Sequence, residues 1–393
     1  MSGAFVVPKD PCLQWSMLLP KLGKEIFPNI GRKRIHYLFL GRNAIFHGLK
    51  ALAIKAGERI LVPSYHCSAI VEAILRYGAA VKFYNVGLDL KPDLTDIEAK
   101  IDGQTRAILG IHYFGFVQPT DEIRALCQRR QLYFIEDCAH VLTGQAVDGT
   151  VVGTSGDISV FSWRKFLPVY DGGQLVINNP NVVYDLEYET GGVLFSLKVA
   201  KNIIDKLTED SLGGASWLAA ASNVLSCLVR GLLSSSKETG PNALTVNNYG
   251  VEFDPASANI RMSKLSRRIL RHTNIREVAR KRRENYAVVS RAVRKMTGVS
   301  ALYPELAPDT CPWVFPLLVH ETNSLHLALR ARGIPATTWG GVIHGSLGLE
   351  DFPAARFLYE NLVFLPIHQN MEEEHLSVML DVVDTSLRRK FNH

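Results

Sequence analysis

Cysteine is scarce in this sequence, with six residues in 393. No two of them lie closer than eleven positions, and neither a CxxC pair nor a cysteine–histidine cluster with the spacing of a metal site occurs. A disulfide-stapled fold is therefore excluded, and no metal ion is predicted. Because unpaired cysteines are typical of a reducing compartment, the sequence predicts a cytoplasmic protein.

A long uninterrupted apolar run is also absent. The N-terminus carries Lys9, Asp10 and two prolines where a signal peptide would have an apolar stretch, so secretion is not expected. The most apolar segment, residues 217–233, is shorter than the ~20 residues of a membrane-spanning helix. It is broken by Ser222, Asn223, Ser226 and Arg230. A buried or interfacial helix is predicted there.

Charge of one sign does not dominate either, since 44 lysines and arginines stand against 38 aspartates and glutamates, a net charge of +6. The densest basic patch, within residues 276–283, is interrupted as a solvated helix face would be. It comprises Arg276, Arg280, Lys281, Arg282 and Arg283. Nucleic-acid binding is not predicted, whereas a small anionic substrate remains open.

Residues 34–180 alternate short β-branched or aromatic runs with helical patterns, which is typical of an α/β domain with a mostly parallel sheet. The predicted strands are 59–63, 80–85, 107–112, 132–136, 158–162 and 174–177, and the predicted helices are 43–55, 68–77 and 120–130. Residues 182–250 break this pattern with apolar helical stretches and a loop at 234–242.

The rest of the chain predicts a second, α+β unit. A long basic helical region covers residues 263–296, followed by a strand at 314–319 and helices at 323–332 and 372–388. The sequence therefore predicts a large α/β domain over residues 1–250 and a smaller C-terminal domain over residues 251–393.

Polar side chains follow two of the predicted strands, at the edge where ligands bind in open α/β sheets. Asp137 ends one strand and His140 comes three residues later. Such an aspartate can hold a charged partner in place, although a strand-ending aspartate can equally cap a helix. Lys165 lies among aromatic and apolar residues beside Arg164, where burial and a like charge favour a neutral amine. It is a candidate for forming a Schiff base, with a solvated surface lysine as the alternative.

A third feature is the polar turn Gly41-Arg42-Asn43-Ala44 at the start of a predicted helix. The unpaired N–H groups and positive dipole end of a helix start suit a phosphate. Alternatively, Asn43 is an ordinary N-cap residue.

Taken in order, these segments resemble the DegT/StrS family of pyridoxal-phosphate sugar aminotransferases, a branch of the fold type I (aspartate-aminotransferase-like) enzymes. The resemblance extends over residues 39–383. It is carried by GRNAI, ERILVPSYHCSAIVEAI, TRAILGIHYFG, IEDCAH, GTVVGTSGDISVFSWRKFLPVYDGGQLV, NIRMSKLSRRIL, RARGIPATTW and LPIHQ. It implies a large domain with a mostly parallel seven-stranded sheet and a smaller C-terminal α+β domain.

The resemblance also implies roles for single residues. Lys165 matches the lysine that bonds to the cofactor aldehyde, and Asp137 matches the carboxylate beside the pyridine nitrogen. His140 falls near the position of the cofactor's phenolic oxygen. Ser162 matches a phosphate-binding serine, and Asn43 with the Ala44 N–H matches the rest of the phosphate cradle.

Further implied positions lie outside that group. Asn259 and Arg261 fall in a segment that reaches the neighbouring subunit's cofactor, which implies a catalytic homodimer. Cys67 stands where many relatives stack an aromatic ring on the cofactor, and burial as a small residue is an equal alternative. Trp339 and His344 are substrate-side candidates.

The function implied is transfer of an amino group from an amino acid, expected to be glutamate, to a nucleotide-linked keto sugar, for surface polysaccharide or glycoconjugate biosynthesis. The alternatives are a sugar dehydratase or deoxygenase with the same cofactor, and a non-catalytic binding or regulatory protein that retains the fold.

The helical insertion at 190–245 matches nothing in the family. It could cover the site, extend the dimer interface, or rest on a membrane surface, and burial against protein is favoured. The side chains concerned are Trp217, Leu218, Leu225, Leu228 and Val229.

Overall fold

The computed structural model describes residues 7–14, 17, 34–144, 149–209, 221–229, 252–320, 324–340 and 343–391. A seven-stranded sheet has the order β1-β7-β6-β5-β4-β2-β3. Its strands are β1 Arg34–Leu38, β2 Arg59–Pro63, β3 Ala80–Tyr84, β4 Thr105–Ile111, β5 Tyr133–Asp137, β6 Ile158–Ser162 and β7 Gly173–Ile177. A three-stranded sheet, ordered β10-β9-β8, is formed by β8 Val299–Ala301, β9 Phe315–Val319 and β10 Leu362–Leu365.

Helices cover these sheets. In the first half of the chain they are α1 Gly41–Ala51, α2 Ser68–Tyr77, α3 Leu94–Lys100, α4 Thr120–Arg130, α5 Gly192–Glu209 and α6, residues 221–229. In the second half they are α7 Lys264–His272, α8 Ile275–Val293, α9 Leu325–Ala331, α10 Pro353–Asn361 and α11 Glu373–Phe391. No helix among the described residues is long and apolar enough to cross a bilayer.

The large sheet is parallel from β3 through β2, β4 and β5 to β6, and antiparallel where β7 joins β6 and β1 joins β7. The central strands β2, β4, β5 and β6 are buried along most of their length, as expected for strands covered on both faces. In β4, Arg106 is the single exposed residue. The mostly parallel seven-stranded sheet confirms the fold class predicted from the sequence.

Several element boundaries agree with the prediction. The strands at 59–63 and 158–162 and the helices at 68–77 and 120–130 span the predicted residues. The predicted helix at 263–296 is two helices, because Thr273 is extended and the side chain of Asn274 accepts the N–H of Glu277 at 3.2 Å, which starts α8.

One prediction about a surface residue is wrong. Arg282, assigned to a solvated helix face, is 1% exposed. In the 190–245 insertion, Leu228 is 50% exposed in this single chain, so its burial against protein stays a prediction. Trp217, Leu218 and the loop at 234–242 lie outside the described residues. The predicted domain boundary also falls outside them, so the division at residue 250 stays a prediction.

Candidate active site

A cavity of about 360 Å³ opens at the carboxyl edge of the parallel strands. The last residues of three neighbouring strands, Ile111 of β4, Asp137 of β5 and Ser162 of β6, lie in its wall. Six of the residues predicted from the sequence line it together: Cys67, Asp137, His140, Ser162, Lys165 and Trp339. The volume is within the range of small-molecule sites.

Lys165 ends a short 3₁₀ turn, Trp163–Lys165, that directly follows β6. Its ammonium lies 4.8 Å from the centre of the Trp313 ring, a cation–π contact. Burial lowers the pKa of this lysine, and the neighbouring charge of Arg164 lowers it further, whereas Cys67 and Asp137 oppose the shift. The amine is therefore easier to deprotonate than a surface lysine, which is what a nucleophile or proton carrier requires.

Asp137, the last residue of β5, is 3% exposed. Its Oδ1 accepts the N–H of Ala139 at 2.8 Å in a turn, and no helix begins within residues 138–144, so the helix-cap alternative is wrong. Burial raises the pKa of this carboxyl group, while the charge of Lys165 and the Ala139 N–H act in the opposite direction. A cation placed beside Asp137 would stabilise the carboxylate.

His140 is packed face to face on Trp313, with ring centres 4.4 Å apart and an interplanar angle of 28°. Its Nδ1 accepts the N–H of Phe114 at 3.4 Å. Burial, and secondarily the charge of Lys165, hold the pKa of His140 well below its usual value. The imidazole is therefore neutral and carries its proton on Nε2, which can donate to a ligand oxygen.

Glu136, one residue before Asp137, fixes the end of β5. Its carboxylate accepts hydrogen bonds of 2.7–3.1 Å from the amides of Gly153, Ser155 and Gly156, the hydroxyl of Ser159 and Nε2 of His112. Burial raises the pKa of Glu136, but its bond to His112 and these donors together bring it below the usual value.

His112, Glu136 and Cys138 place possible ligand atoms within 4.8 Å of one another. The Glu136 carboxylate already accepts hydrogen bonds from five donors, so we assign this cluster a structural role and not metal binding.

Gly41, Arg42, Ser162 and Arg164 form a group suited to an anion. A Cβ added to Gly41 would lie 3.4 Å from Cβ of Ser162, so the start of α1 adjoins the end of β6. Burial lowers the pKa of the Arg42 guanidinium, and the positive charge of Arg164 adds to this. Because the two cations repel each other in a partly buried place, a bound anion would relieve that repulsion.

The groups predicted to hold a phosphate, at Asn43 and Ala44, already have partners within the protein. The N–H groups of Asn43 and Ala44 both donate to the carbonyl of Leu40, and the Asn43 amide donates to the carbonyl of Ser257 at 2.8 Å. These groups are committed to the protein because α1 begins at Gly41, not at Asn43. The start of α1 is also locked to β7, since a Cβ on Gly173 would lie 2.0 Å from the carbonyl oxygen of Leu40.

The remaining predicted positions lie outside the cavity lining. Asn259 donates to Glu189 at 2.9 Å, and the Arg261 guanidinium lies 4.9 Å from the ring centre of Tyr188. Their contact with a neighbouring subunit stays a prediction. His344 pairs with Glu72 at 3.1 Å, while Trp339 packs 5.2 Å from His140 in the cavity wall.

Among the lining residues that the sequence interpretation did not connect with the site are Lys9, Asp10, Asn202, Lys206 and Trp313. Trp313 could have been suspected as an aromatic residue directly before a strand of the second sheet. The other four come from segments whose position relative to the large sheet has no local sequence signal.

These side chains fit pyridoxal 5′-phosphate. An amine with a lowered pKa, a buried carboxylate and a cationic group beside a helix start share one cavity. The amine matches the cofactor's aldehyde, the carboxylate matches a ring nitrogen that gains a proton, and the cationic group matches the phosphate.

Two curated sugar aminotransferases are similar to part of the chain. GDP-perosamine synthase of Vibrio cholerae is 34% identical over 148 residues, which cover 37% of this chain and 40% of that protein. UDP-N-acetyl-3-dehydro-alpha-D-glucosamine 3-aminotransferase of Acidithiobacillus ferrooxidans is 35% identical over 140 residues, 35% of this chain and 38% of that protein. The chain thus matches about two fifths of the length of these relatives.

Solved structures extend the likeness of fold over most of the chain. Helicobacter pylori PseC, an aminotransferase, has a TM-score of 0.67 and 18% identity, covering 98% of this chain and 99% of that one. The aminotransferase TlmJ of Streptoalloteichus hindustanus has a TM-score of 0.63 and 20% identity, covering 91% and 86%. The family model of the DegT/DnrJ/EryC1/StrS aminotransferases matches residues 40–190, which carry β2 to β7, Asp137 and Lys165. Over residues 40–190 the chain is therefore similar to the DegT/DnrJ/EryC1/StrS aminotransferase family.

Proposed function

We propose that the protein is a pyridoxal-phosphate-dependent aminotransferase that moves an amino group from an amino acid to a nucleotide-linked keto sugar. The observation that carries this proposal is the presence of Lys165 and Asp137 in one cavity, at the ends of neighbouring parallel strands. A lysine of lowered pKa and a buried carboxylate are the two groups that this chemistry requires of the protein.

When bound, pyridoxal 5′-phosphate supplies an aldehyde and an electron-withdrawing ring. Lys165 would hold it covalently through Nζ, and Gly41, Arg42, Ser162 and Arg164 would hold its phosphate. With its amine neutral, Lys165 would also be the base that moves a proton to and from the substrate carbon. Burial keeps a larger fraction of this amine neutral than in water.

Asp137 and His140 would position the ring. Asp137 offers its carboxylate to a protonated ring nitrogen, whose positive charge would offset the cost of burying the carboxylate. Neutral His140 donates from Nε2 to the phenolic oxygen. Cys67 and Trp313 lie in the same wall and exclude water from the amine.

The substrate class is supported by the names of the relatives, which describe amination of GDP-linked and UDP-linked sugars. The donor is proposed to be glutamate and the product a precursor of surface polysaccharide or glycoconjugate. A cytoplasmic location is proposed as well, which fits six cysteines that are not joined by disulfide bonds among the described residues. A homodimer is proposed, with Asn259 and Arg261 at the partner's site, and cysteine cross-linking from position 261 tests it.

The dehydratase alternative is not favoured, because the relatives are aminotransferases and position 165 holds the lysine that transfer requires. The non-catalytic alternative would need a site without a usable amine, and Lys165 lies in the cavity.

The test is spectroscopic. Protein purified with the cofactor should show a violet absorption band that disappears on adding glutamate and returns on adding a nucleotide keto sugar. Lys165→Ala should lack the band, while Lys201→Ala, a matched lysine paired with Asp205 on α5, should keep it. Absence of a glutamate-dependent change in the wild-type protein would contradict the proposal.

A further inference from the structure

Helix α5 forms part of the cavity wall although it lies beyond residue 190, where the match to the family model ends. A stripe at i, i+4, i+8 and i+12 packs it against the large domain: Phe195, Val199, Ile203 and Leu207 are all buried. Asn202 and Lys206, also four residues apart, line the cavity from the adjoining face of the helix. The insertion therefore reaches the site at which Lys165 acts.

Asn202 presents an unused hydrogen-bond acceptor there. Its Oδ1 is buried and has no hydrogen-bond partner among the described residues. Burying such an oxygen without a partner costs on the order of 1–3 kcal/mol. A ligand in the cavity that donates an O–H or N–H to Oδ1 of Asn202 would remove this penalty.

The N-terminal segment, residues 7–14, lies beside α5 and is held at three points. The Leu13 N–H donates to the Lys206 carbonyl at 3.2 Å, and the Cys12 N–H donates to Oδ1 of Asn370 at 3.1 Å. Nε2 of His368 donates to the Pro8 carbonyl at 3.0 Å. These bonds bring Lys9 and Asp10 to the cavity.

This part of the cavity is positively charged. Lys9, Lys206 and Asp10 contribute two ammonium groups and one carboxylate to the lining. The ammonium of Lys206 has no ion-pair partner among the described residues. Lys9, Asp10 and Lys165 also line an adjoining cavity of about 170 Å³, so these charges face both sides of the Lys165 side chain. A ligand with more than one negative charge fits this pattern.

We propose that α5 and residues 7–14 form the acceptor-binding wall of the site. Lys206 and Lys9 bind the diphosphate of the nucleotide-linked sugar, and Oδ1 of Asn202 accepts a hydrogen bond from one of its hydroxyl or N–H groups. A diphosphate is favoured over an amino-acid carboxylate because its two phosphate groups can contact both ammonium groups at once. This inference rests on the proposed function, since it assumes a nucleotide-linked acceptor.

The experiment measures equilibrium binding of UDP, GDP and dTDP to the full-length protein by calorimetry. Loss of one charge-assisted hydrogen bond is worth roughly 1.5–3 kcal/mol, so Lys206→Met should weaken binding of the preferred nucleotide at least about tenfold. Asn202→Leu should weaken the sugar nucleotide more than the nucleotide alone. Lys201→Met, on the same helix but outside the cavity lining, should bind as wild type.

Lys9→Met gives the same readout from a segment outside α5, which keeps the test independent of the folding of that helix. Retention of wild-type nucleotide binding by both Lys206→Met and Lys9→Met would overturn the proposal. A larger loss in the glutamate half-reaction than in nucleotide binding would overturn it as well, because the wall would then bind the donor. If no keto sugar is aminated but nucleotide binding is lost in both variants, the proposed function fails and the binding wall stands.

Discussion

The ammonium of Lys165 lies 4.8 Å above the ring of Trp313, and the same ring is stacked on His140. Trp313, from the second half of the chain, thus contacts both Lys165 and His140, which follow strands β6 and β5 of the large sheet. Trp313 is itself fixed by its carbonyl, which accepts a hydrogen bond from Arg282 at 2.7 Å.

Replacing Trp313 should change the acidity of Lys165. A ring face stabilises the ammonium by about 0.5–2 kcal/mol, so Trp313→Leu should lower the pKa of Lys165 further. The neutral amine then appears at lower pH. The rate at which the apoenzyme takes up pyridoxal phosphate, measured against pH, should rise at lower pH than in wild type. Trp313→Phe retains a ring face and should shift less. A Leu variant whose profile moves to higher pH would contradict this reasoning.

Asp137→Asn should stabilise the protein without its cofactor. Because burial raises the pKa of this carboxyl group in the folded state, its ionisation costs stability as pH rises above the unfolded value of about 4. The gain in Tm of the apo variant should therefore be small at pH 4 and larger at pH 8, while affinity for the cofactor falls.

Asp157→Asn serves as the matched control for that variant. The Asp157 carboxylate accepts the N–H of Phe134 at 2.8 Å and the amide of Asn179 at 2.6 Å. Its replacement should lower Tm. If apo Asp137→Asn instead lost stability at pH 8, as Asp157→Asn should, the buried carboxylate of Asp137 would not be destabilising the folded protein.

Glu136→Ala should be strongly destabilising, because it leaves the five donors around this carboxylate without their acceptor. The expected loss is on the order of 3–5 kcal/mol in urea unfolding. The folded-state pKa of Glu136 lies below its usual value, so the stabilisation is present above about pH 4.3 and is lost as pH falls through the folded pKa. Glu98→Ala removes an exposed ion pair with Arg130 and should cost less than about 1 kcal/mol. Equal losses in the two variants would contradict this account.

Arg282→Met should destabilise the protein and disturb the Lys165 loop. The buried guanidinium donates to the Trp313 carbonyl and to Gln369 at 2.9 Å, and it lies 4.9 Å from the Phe166 ring centre. Burial lowers its pKa to about 10, so it stays charged at neutral pH. We expect a loss of roughly 2–4 kcal/mol in unfolding free energy and weaker binding of the cofactor.

The neighbouring Arg280 provides the comparison, since it is half-exposed and paired with Glu277 and Glu284 along the same helix. Arg280→Met should change the unfolding free energy far less than Arg282→Met and leave cofactor binding intact. A similar small loss for both arginines would show that the contacts of Arg282 are dispensable.

The sequence predicted the parallel part of the large sheet well because its strands are short apolar runs with clear turn signals between them, as at residues 59–63 and 158–162. It predicted Asp137, Ser162 and Lys165 for a related reason, since parallel strands bring their carboxyl ends to one edge. Periodicity also located α2 and α4 at the correct residues.

The remainder depended on tertiary contacts that no local pattern carries. Arg282 belongs to a basic run that is otherwise solvated, and its burial follows from the carbonyl groups that surround it. Asn43 was assigned to the phosphate because the family resemblance places it at a helix start, whereas α1 begins two residues earlier. Lys9 and Lys206 reach the site only through the packing of segments 7–14 and 192–209.

Gly173 lies where the start of β7 meets the start of α1. Its contact with the Leu40 carbonyl leaves no room for a side chain, so the strand following the lysine loop and the first turn of α1 cannot shift independently. A glycine-to-alanine exchange at position 173 would therefore push the start of β7 and the start of α1 apart, and it would disturb the cavity wall at Leu40 and Gly41.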